Sequence, residues 1–253
     1  MPDFNKTVLA VHAHPDDTEA FCGGTLALLK KNGFRVVIAT MTPGGMGGVG
    51  TDEKETGRIR MEEARKAAEV VGAEYYCLEQ RDGFVFDTVE ARIRVIELIR
   101  KTGAGVVFTH LPFDYHSDHR ATCSIVESAA MLSTLENVPT DIPPVDTTPL
   151  LYHTEPFGYT DSLGREVPEP SFFIDVTTVF DTKVDMLSRH ESQIALMKRM
   201  FGIDDFFMDM RDNDKNLGAI AGVSYAEAYW QHLGAGFYKD PLIQETLKEY
   251  RRR

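Results

Sequence analysis

An α/β fold with a mostly parallel sheet is predicted by three features of the sequence. Short β-branched and apolar runs recur, stretches of helical periodicity lie between them, and glycines mark several helix ends. Strands that alternate with helices of about ten residues or more need crossover connections, and these make neighbouring strands parallel. In order, Lys6–Val11 is the first strand; a loop holding Gly23-Gly24 follows, then a helix over Thr25–Lys31 that stops near Gly33. Arg35–Ala39 is the second strand and leads into the glycine-rich stretch Pro43–Gly50. Glu53–Val71 is helical up to Gly72, Glu74–Leu78 is the third strand, and Val89–Lys101 is a helix with Val95, Ile96, Leu98 and Ile99 on its apolar face. Val106–Thr109 is the fourth strand and Arg120–Leu135 the helix after it. Seven of the 12 prolines fall between Asn137 and Pro170, which excludes long helices there. Leu150–His153 and Phe172–Val176 are read as strands, Thr178–Met200 and Tyr225–His232 as helices. The expected organisation is one domain over 1–253: a Rossmann-like βαβ core over 1–135, a Pro-rich excursion over 136–170, and a C-terminal elaboration over 171–253.

Composition narrows the function classes. The chain has 253 residues, with 39 acids against 27 bases and a net charge of −12. A surface this acidic repels phosphate backbones and anionic lipid, so neither nucleic acid nor a membrane is expected as partner. No apolar run approaches the ~18–20 residues of a membrane span. The opening Met-Pro-Asp-Phe-Asn-Lys lacks the basic-then-apolar pattern of a secretory signal. Three cysteines, Cys22, Cys77 and Cys123, make an odd number with no C-x-x-C pair, which points to reduced thiols in a cytoplasm.

The chemistry concentrates in two segments. The first strand runs into His12-Ala-His14-Pro15-Asp16-Asp17, and the fourth into His110-Leu-Pro-Phe-Asp114-Tyr-His116-Ser-Asp118-His119. Five of the eight histidines fall in these 16 positions, both at carboxyl ends of strands, where open α/β sheets place their ligand crevice. Imidazoles with carboxylates at two converging strand ends read as a divalent metal site of two His and one Asp, with an open position for water. Of Asp16 and Asp17, one can bind the cation while the other takes a proton from water. His116 and His119 divide in the same way between cation and substrate, and Asp118 can orient an imidazole. Cys22 is expected as a small buried thiol rather than a ligand.

The set Ala13-His14-Pro15-Asp16-Asp17, Gly23-Gly24-Thr25 and His116-Ser117-Asp118-His119 resembles the zinc-dependent deacetylases of the LmbE-like, or PIG-L, family. Arg60-Met-Glu-Glu63-Ala64 with Ala67-Ala68, and His190-Glu-Ser192-Gln193, add to the likeness, which covers most of the chain and is clearest over the first ~125 residues. The resemblance implies that His14, Asp17 and His119 hold Zn2+, with Fe2+ as a conceivable substitute. It implies that Asp16 is the general base, that His116 is a charged oxyanion stabiliser or proton donor tuned by Asp118, and that Arg60 contacts a polar substrate. Ser117 stands where Pro is common in the family, and Thr18-Glu19 where Glu or Val often directly follows the aspartates. The expected activity is removal of an N-acetyl or other N-acyl group from a small amino sugar or glycoside of the N-acetylglucosamine type, by a monomer or a homo-oligomer.

Two other readings compete. Gly45-Met-Gly47-Gly-Val-Gly50 matches the dinucleotide fingerprint and suggests an NAD-binding oxidoreductase, but it follows its strand after a Thr-Pro-Gly delay instead of a tight turn. A mobile loop beside the crevice is the better functional reading. Two His and one carboxylate also suit a non-haem iron enzyme, a chemistry associated with β-rich barrels. No G-x-S-x-G elbow is present. His110 and His153 are read as structural, and Trp230 as core or subunit contact.

Overall fold

The computed structural model describes residues 3–202 and 207–253. Its strands are β1 (Thr7–His12), β2 (Arg35–Thr40), β3 (Glu74–Cys77), β4 (Val106–His110), β5 (Leu150–Thr154), β6 (Phe172–Asp175), β7 (Ala226–Gln231) and β8 (Arg251–Arg252). The helices are α1 (Asp17–Lys31), α2 (Glu53–Val70), α3 (Val89–Thr102), α4 (Ser117–Leu132), α5 (Phe180–Ser188), α6 (Glu191–Phe201), α7 (Phe207–Ala221) and α8 (Leu242–Thr246). All eight strands share one sheet in the order β3-β2-β1-β4-β5-β7-β6-β8. The first five pair parallel, and β7, β6 and β8 extend the sheet with antiparallel pairings. The expected α/β architecture with a C-terminal elaboration is therefore present, the elaboration being a continuation of the sheet.

β1, β2 and β4 alternate apolar side chains between two packed faces. Val8, Ala10, Val36 and Ile38 face a core that includes α1, and Leu9, Val11, Val37 and Ala39 face a core that includes α3 and α4. Strand order reverses between β1 and β4, which pair directly, so the chain segments leaving their carboxyl ends diverge to opposite sides. Such a switch point opens a crevice, and both histidine-rich segments enter it.

Four elements differ from the sequence-based expectation. The Gly23-Gly24 stretch is not a loop: both glycines are buried inside α1, which starts eight residues earlier than Thr25. Their lack of side chains admits neighbours, since a Cβ on Gly24 would lie 2.7 Å from Val176 Cβ and 3.1 Å from Glu227 Oε1. Gly24→Ala is expected to cost about 1–3 kcal/mol through overpacking, lowering Tm by about 2–4 °C per kcal/mol in a thermal melt. The expected helix over Thr178–Met200 is broken between α5 and α6, where His190 turns inward to place Nε2 3.5 Å from Glu19 Oε2. Tyr225–His232 is not a helix but contains β7; its Ala and Glu favour helix, yet pairing on both sides with β5 and β6 overrides that preference. Helix α4 also begins earlier than Arg120, with His116 as its N-cap.

A buried ionic cluster ties this extension to α1. Lys183 Nζ lies 2.6 Å from Asp214 Oδ2 and 2.9 Å from Glu227 Oε1, with all three side chains fully buried. Glu227 also accepts the amides of Gly24 (2.9 Å) and Thr25 (2.8 Å) and the Tyr229 hydroxyl (2.9 Å). Among the described residues, no helix is long and apolar enough to cross a membrane.

Candidate active site

Asp17, in the first turn of α1, is the centre of the site. Its Oδ2 lies 3.3 Å from His14 Nδ1, 3.4 Å from His119 Nε2 and 3.5 Å from His110 Nε2. It also accepts the His14 amide at 2.8 Å, which fixes the carboxylate. The imidazole contacts are longer than the ~2.9–3.0 Å of an ordinary N–H···O bond. They match the ~3.3 Å between ligand atoms that share a tetrahedral cation at about 2.0–2.1 Å.

Each of the two predicted histidine ligands turns its other nitrogen to a carboxylate. His14 Nε2 lies 3.3 Å from both Asp118 Oδ2 and Asp82 Oδ1, and His119 Nδ1 pairs with Asp114 Oδ1 at 2.9 Å. That arrangement is how proteins orient a metal-binding imidazole. The residues thus fit a cation on His14, Asp17 and His119. His110 is placed against the same carboxylate but accepts the Ala13 amide at 2.9 Å and stacks on His119 at 3.8 Å, which aligns that ring.

The electrostatics reflect this packing. Burial opposes charge on His14, but Asp17, Asp118 and Asp82 hold its pKa well above the usual value. Burial likewise opposes charge on His119, yet Asp17 and Asp114 lift it to about 9. Burial would push Asp17 up, and His119 and His14 instead bring it well below the carboxylate range.

Asp16 occupies the N-cap of α1 with φ 106°, a left-handed conformation that only a few non-glycine residues tolerate. Such strain costs about 1–3 kcal/mol and collects at functional sites. Buried Arg60 holds the turn: Nη2 donates to Pro15 O at 2.6 Å and to Asp16 Oδ2 at 3.2 Å, and Nη1 donates to Gly44 O at 3.0 Å. Burial raises the Asp16 pKa to about 6 against the pull of Arg60, and neighbouring Asp17 adds to the rise. Arg60, expected to meet substrate, both lines the cleft and fixes Asp16. Gly47 of the dinucleotide-like stretch and the preceding Gly44 serve this contact, because a Cβ on Gly44 or Gly47 would lie 2.5 or 2.8 Å from the guanidinium.

His116 Nδ1 accepts the Asp118 amide at 3.2 Å, leaving Nε2 as the protonated nitrogen. Burial lowers its pKa, and His119 and His14 lower it further against the pull of Asp17 and Asp118. The Asp118 carboxylate, expected to tune His116, accepts the Gly83 amide at 2.8 Å and faces His14, and its charge also opposes the lowering of the His116 pKa. His116 is reached through the Asp118 backbone.

These groups line one side of a cleft of about 900 Å³. Phe157, Leu187 and Met197 give it an apolar wall, and Asp209, Asp212, Asn213 and Asn216 of α7 a polar one. Met46 and Gly47 of the glycine-rich stretch also border it. Sequence reasoning assigned no role to Asp82, Asp114 or α7. Asp114 lies inside the second histidine segment and was visible there, whereas Asp82 and α7 carry no local signal. The Arg60 and His190 segments do meet: the Ser192 hydroxyl donates to Glu63 Oε2 at 2.6 Å, and Gln193 donates to Gly47 O at 3.2 Å.

Comparison with known proteins agrees with this geometry. The family model PIG-L, described as GlcNAc-PI de-N-acetylase, matches residues 9–130, the span holding both histidine segments. Diacetylchitobiose deacetylase of Thermococcus kodakarensis is 30% identical over 196 residues, covering 74% of this chain and 70% of that protein. A 4-oxalmesaconate hydratase of Pseudomonas putida is 26% identical over 187 residues, covering 70% of each. The solved structure of N,N'-diacetylchitobiose deacetylase from Pyrococcus horikoshii, complexed with its inhibitor MPG, superposes with a TM-score of 0.76 at 25% identity, over 93% of this chain and 87% of that one. Matched by that family model across both histidine segments, and 30% identical to a deacetylase over 74% of its own length, the chain belongs to the PIG-L (LmbE-like) family.

Proposed function

We propose that the protein is a metal-dependent N-deacetylase of small N-acetylated amino sugars, with His14, Asp17 and His119 as the ligands of Zn2+ and residues 1–253 acting as one unit. The observation that carries the reading is Asp17 Oδ2 set between His14 Nδ1 and His119 Nε2, with the other nitrogen of each ring on a carboxylate. A cation held there supplies Lewis-acid polarisation of an amide carbonyl and acidification of water. Asp16 takes the proton of the attacking water, which is the work of a general base. The His116 Nε2–H donates to the oxygen on which negative charge develops. The proton gained by Asp16 then neutralises the departing amine. Asp209, Asp212, Asn213 and Asn216 offer the sugar hydroxyls hydrogen bonds, and the cleft volume of about 900 Å³ suits one or two sugar rings.

The test is amine release from N-acetylglucosamine and N,N'-diacetylchitobiose by protein of measured zinc content, with and without a chelator. Release that stops on chelation and returns with zinc supports the proposal. Absence of release from N-acetylated sugars, with water addition to an unsaturated carboxylate instead, rejects it. His119→Ala is expected to lose the cation. Asp114→Asn, which loosens the His119 ring without touching the ligands, is expected to weaken zinc affinity by about 10–100-fold in a competition titration.

A further inference from the structure

A second group of metal-ligating side chains lies outside the cleft and has no part in the reaction described above. Helix α4 carries His119, Cys123 and Glu127 four residues apart, so one helix face presents all three, rising about 6 Å per step. His119 meets the catalytic carboxylates, and the next two turns meet His153 of β5 and His232, which follows β7.

The donor atoms form a nearly regular triangle. His153 Nε2 lies 3.1 Å from His232 Nδ1 and 3.6 Å from Glu127 Oε1, and His232 Nδ1 lies 3.5 Å from Glu127 Oε1. Three ligands of a tetrahedral cation bound at about 2.0–2.1 Å stand about 3.3–3.4 Å apart. The two contacts to Glu127 are too long for good N–H···O bonds. Cys123 Sγ lies 3.7 Å from Glu127 Oε1 and 3.7 Å from His153 Nδ1, and Cys123, Glu127 and His153 offer ligand atoms within 4.8 Å of one another, so a turn of the Cys123 side chain toward the triangle would bring sulfur in as the fourth donor. The His153 ring is already oriented for the purpose, because Nδ1–H donates to His110 O at 2.8 Å and leaves the Nε2 lone pair facing the triangle. Gly234 makes room for His232, since a Cβ there would lie 2.8 Å from its Nε2. The Glu127 and His232 side chains are 31% and 24% exposed, so an ion enters from solvent without crossing the catalytic cleft.

We propose that Cys123, Glu127, His153 and His232 bind a second divalent cation, zinc being the fit for one sulfur, two nitrogens and one oxygen in tetrahedral array. The ion cross-links α4, which carries His119, to β5 and the end of β7. A bare hydrogen-bonded chain from Glu127 through His232 to His153 is the competing account, and in it a proton takes the place of the cation.

Cobalt(II) added to metal-free protein separates the two. The catalytic ligands include no sulfur, so a thiolate-to-cobalt charge-transfer band reports the second site alone, whether or not the catalytic centre fills. The band is expected in the unsubstituted protein, absent in the near-isosteric Cys123→Ser variant, and weakened in His232→Ala. Zinc content is expected to fall by one equivalent per chain in His232→Ala with an unchanged circular dichroism spectrum. Absence of the band in the unsubstituted protein overturns the assignment, as does a band that persists in Cys123→Ser. Failure of the catalytic reading looks different: zinc is then lost from the total while the cobalt–thiolate band remains.

Discussion

Asp16→Asn is expected to keep its fold and its metal while turnover falls by about 10²–10⁴-fold, equivalent to about 3–5 kcal/mol of barrier. Asparagine is the informative replacement because the position has φ 106°, and Asn is among the few residues that accept such a backbone. Its side-chain oxygen can still accept from Arg60 Nη2, so the turn over Pro15 stays in place. What is removed is the capacity to take a proton. Initial rates, zinc content and Tm of the same preparation check the result. Turnover equal to that of the unsubstituted protein, with metal retained, would reject Asp16 as the base, and a loss confined to KM would make it a substrate-binding group.

Lys183→Met is expected to be the most damaging single change away from the cleft, costing about 3–5 kcal/mol. The ammonium is fully buried between Asp214 and Glu227, with Glu155 close enough to add to its field. Three carboxyl groups share this one cation. Burial pushes Asp214 up to about 7 against the pull of Lys183, with Glu227 adding to the push. Burial also pushes Glu155 well above its ordinary range, outweighing Lys183. Removing the cation leaves the remaining charge uncompensated in a low-dielectric interior. Urea denaturation measures the loss, and a change below about 1 kcal/mol would refute the account. A Lys183→Met, Asp214→Leu double variant is expected to be less destabilised than the single one, because Glu227 keeps the Gly24 and Thr25 amides and the Tyr229 hydroxyl. The cluster holds α7, which bears the polar wall of the cleft, against α1, which begins at Asp17.

The elements legible beforehand are those whose local signals agree with their tertiary setting. β1, β2 and β4 are short apolar runs buried on both faces, and α2 and α3 carry periodic apolar stripes bounded by side-chain caps at Asp52 and Thr88. Where local and tertiary preferences conflict, the reading fails. Gly23-Gly24 suggests a loop by composition, yet bare backbone there lets Val176 and Glu227 approach α1. Tyr225–His232 has the composition of a helix, yet Glu227 and Tyr229 alternate with Ala226 and Ala228 as a strand between β5 and β6 requires. His190 breaks a helical pattern because its ring is drawn to Glu19. In the site, the separation of Asp16 from Asp17 and of His116 from His119 was open in the residues themselves and came from resemblance. The partner Asp82, 68 positions from His14, appears only once the loops are folded together, whereas Asp114 and Asp118 lay in view within the second histidine segment with their roles unassigned by spacing alone.

Strand periodicity and the two histidine segments are properties of neighbours along the chain, set by side-chain alternation and by which residue types can donate electron pairs. By themselves they determined an α/β sheet and the identity of the groups at its carboxyl edge. Which nitrogen faces which oxygen, how Arg60 strains Asp16 and how Lys183 is enclosed depend on residues tens to over a hundred positions apart. Only tertiary packing decided these, because burial changes the cost of every charge, and burial is a property of the assembled fold and not of any local stretch of chain.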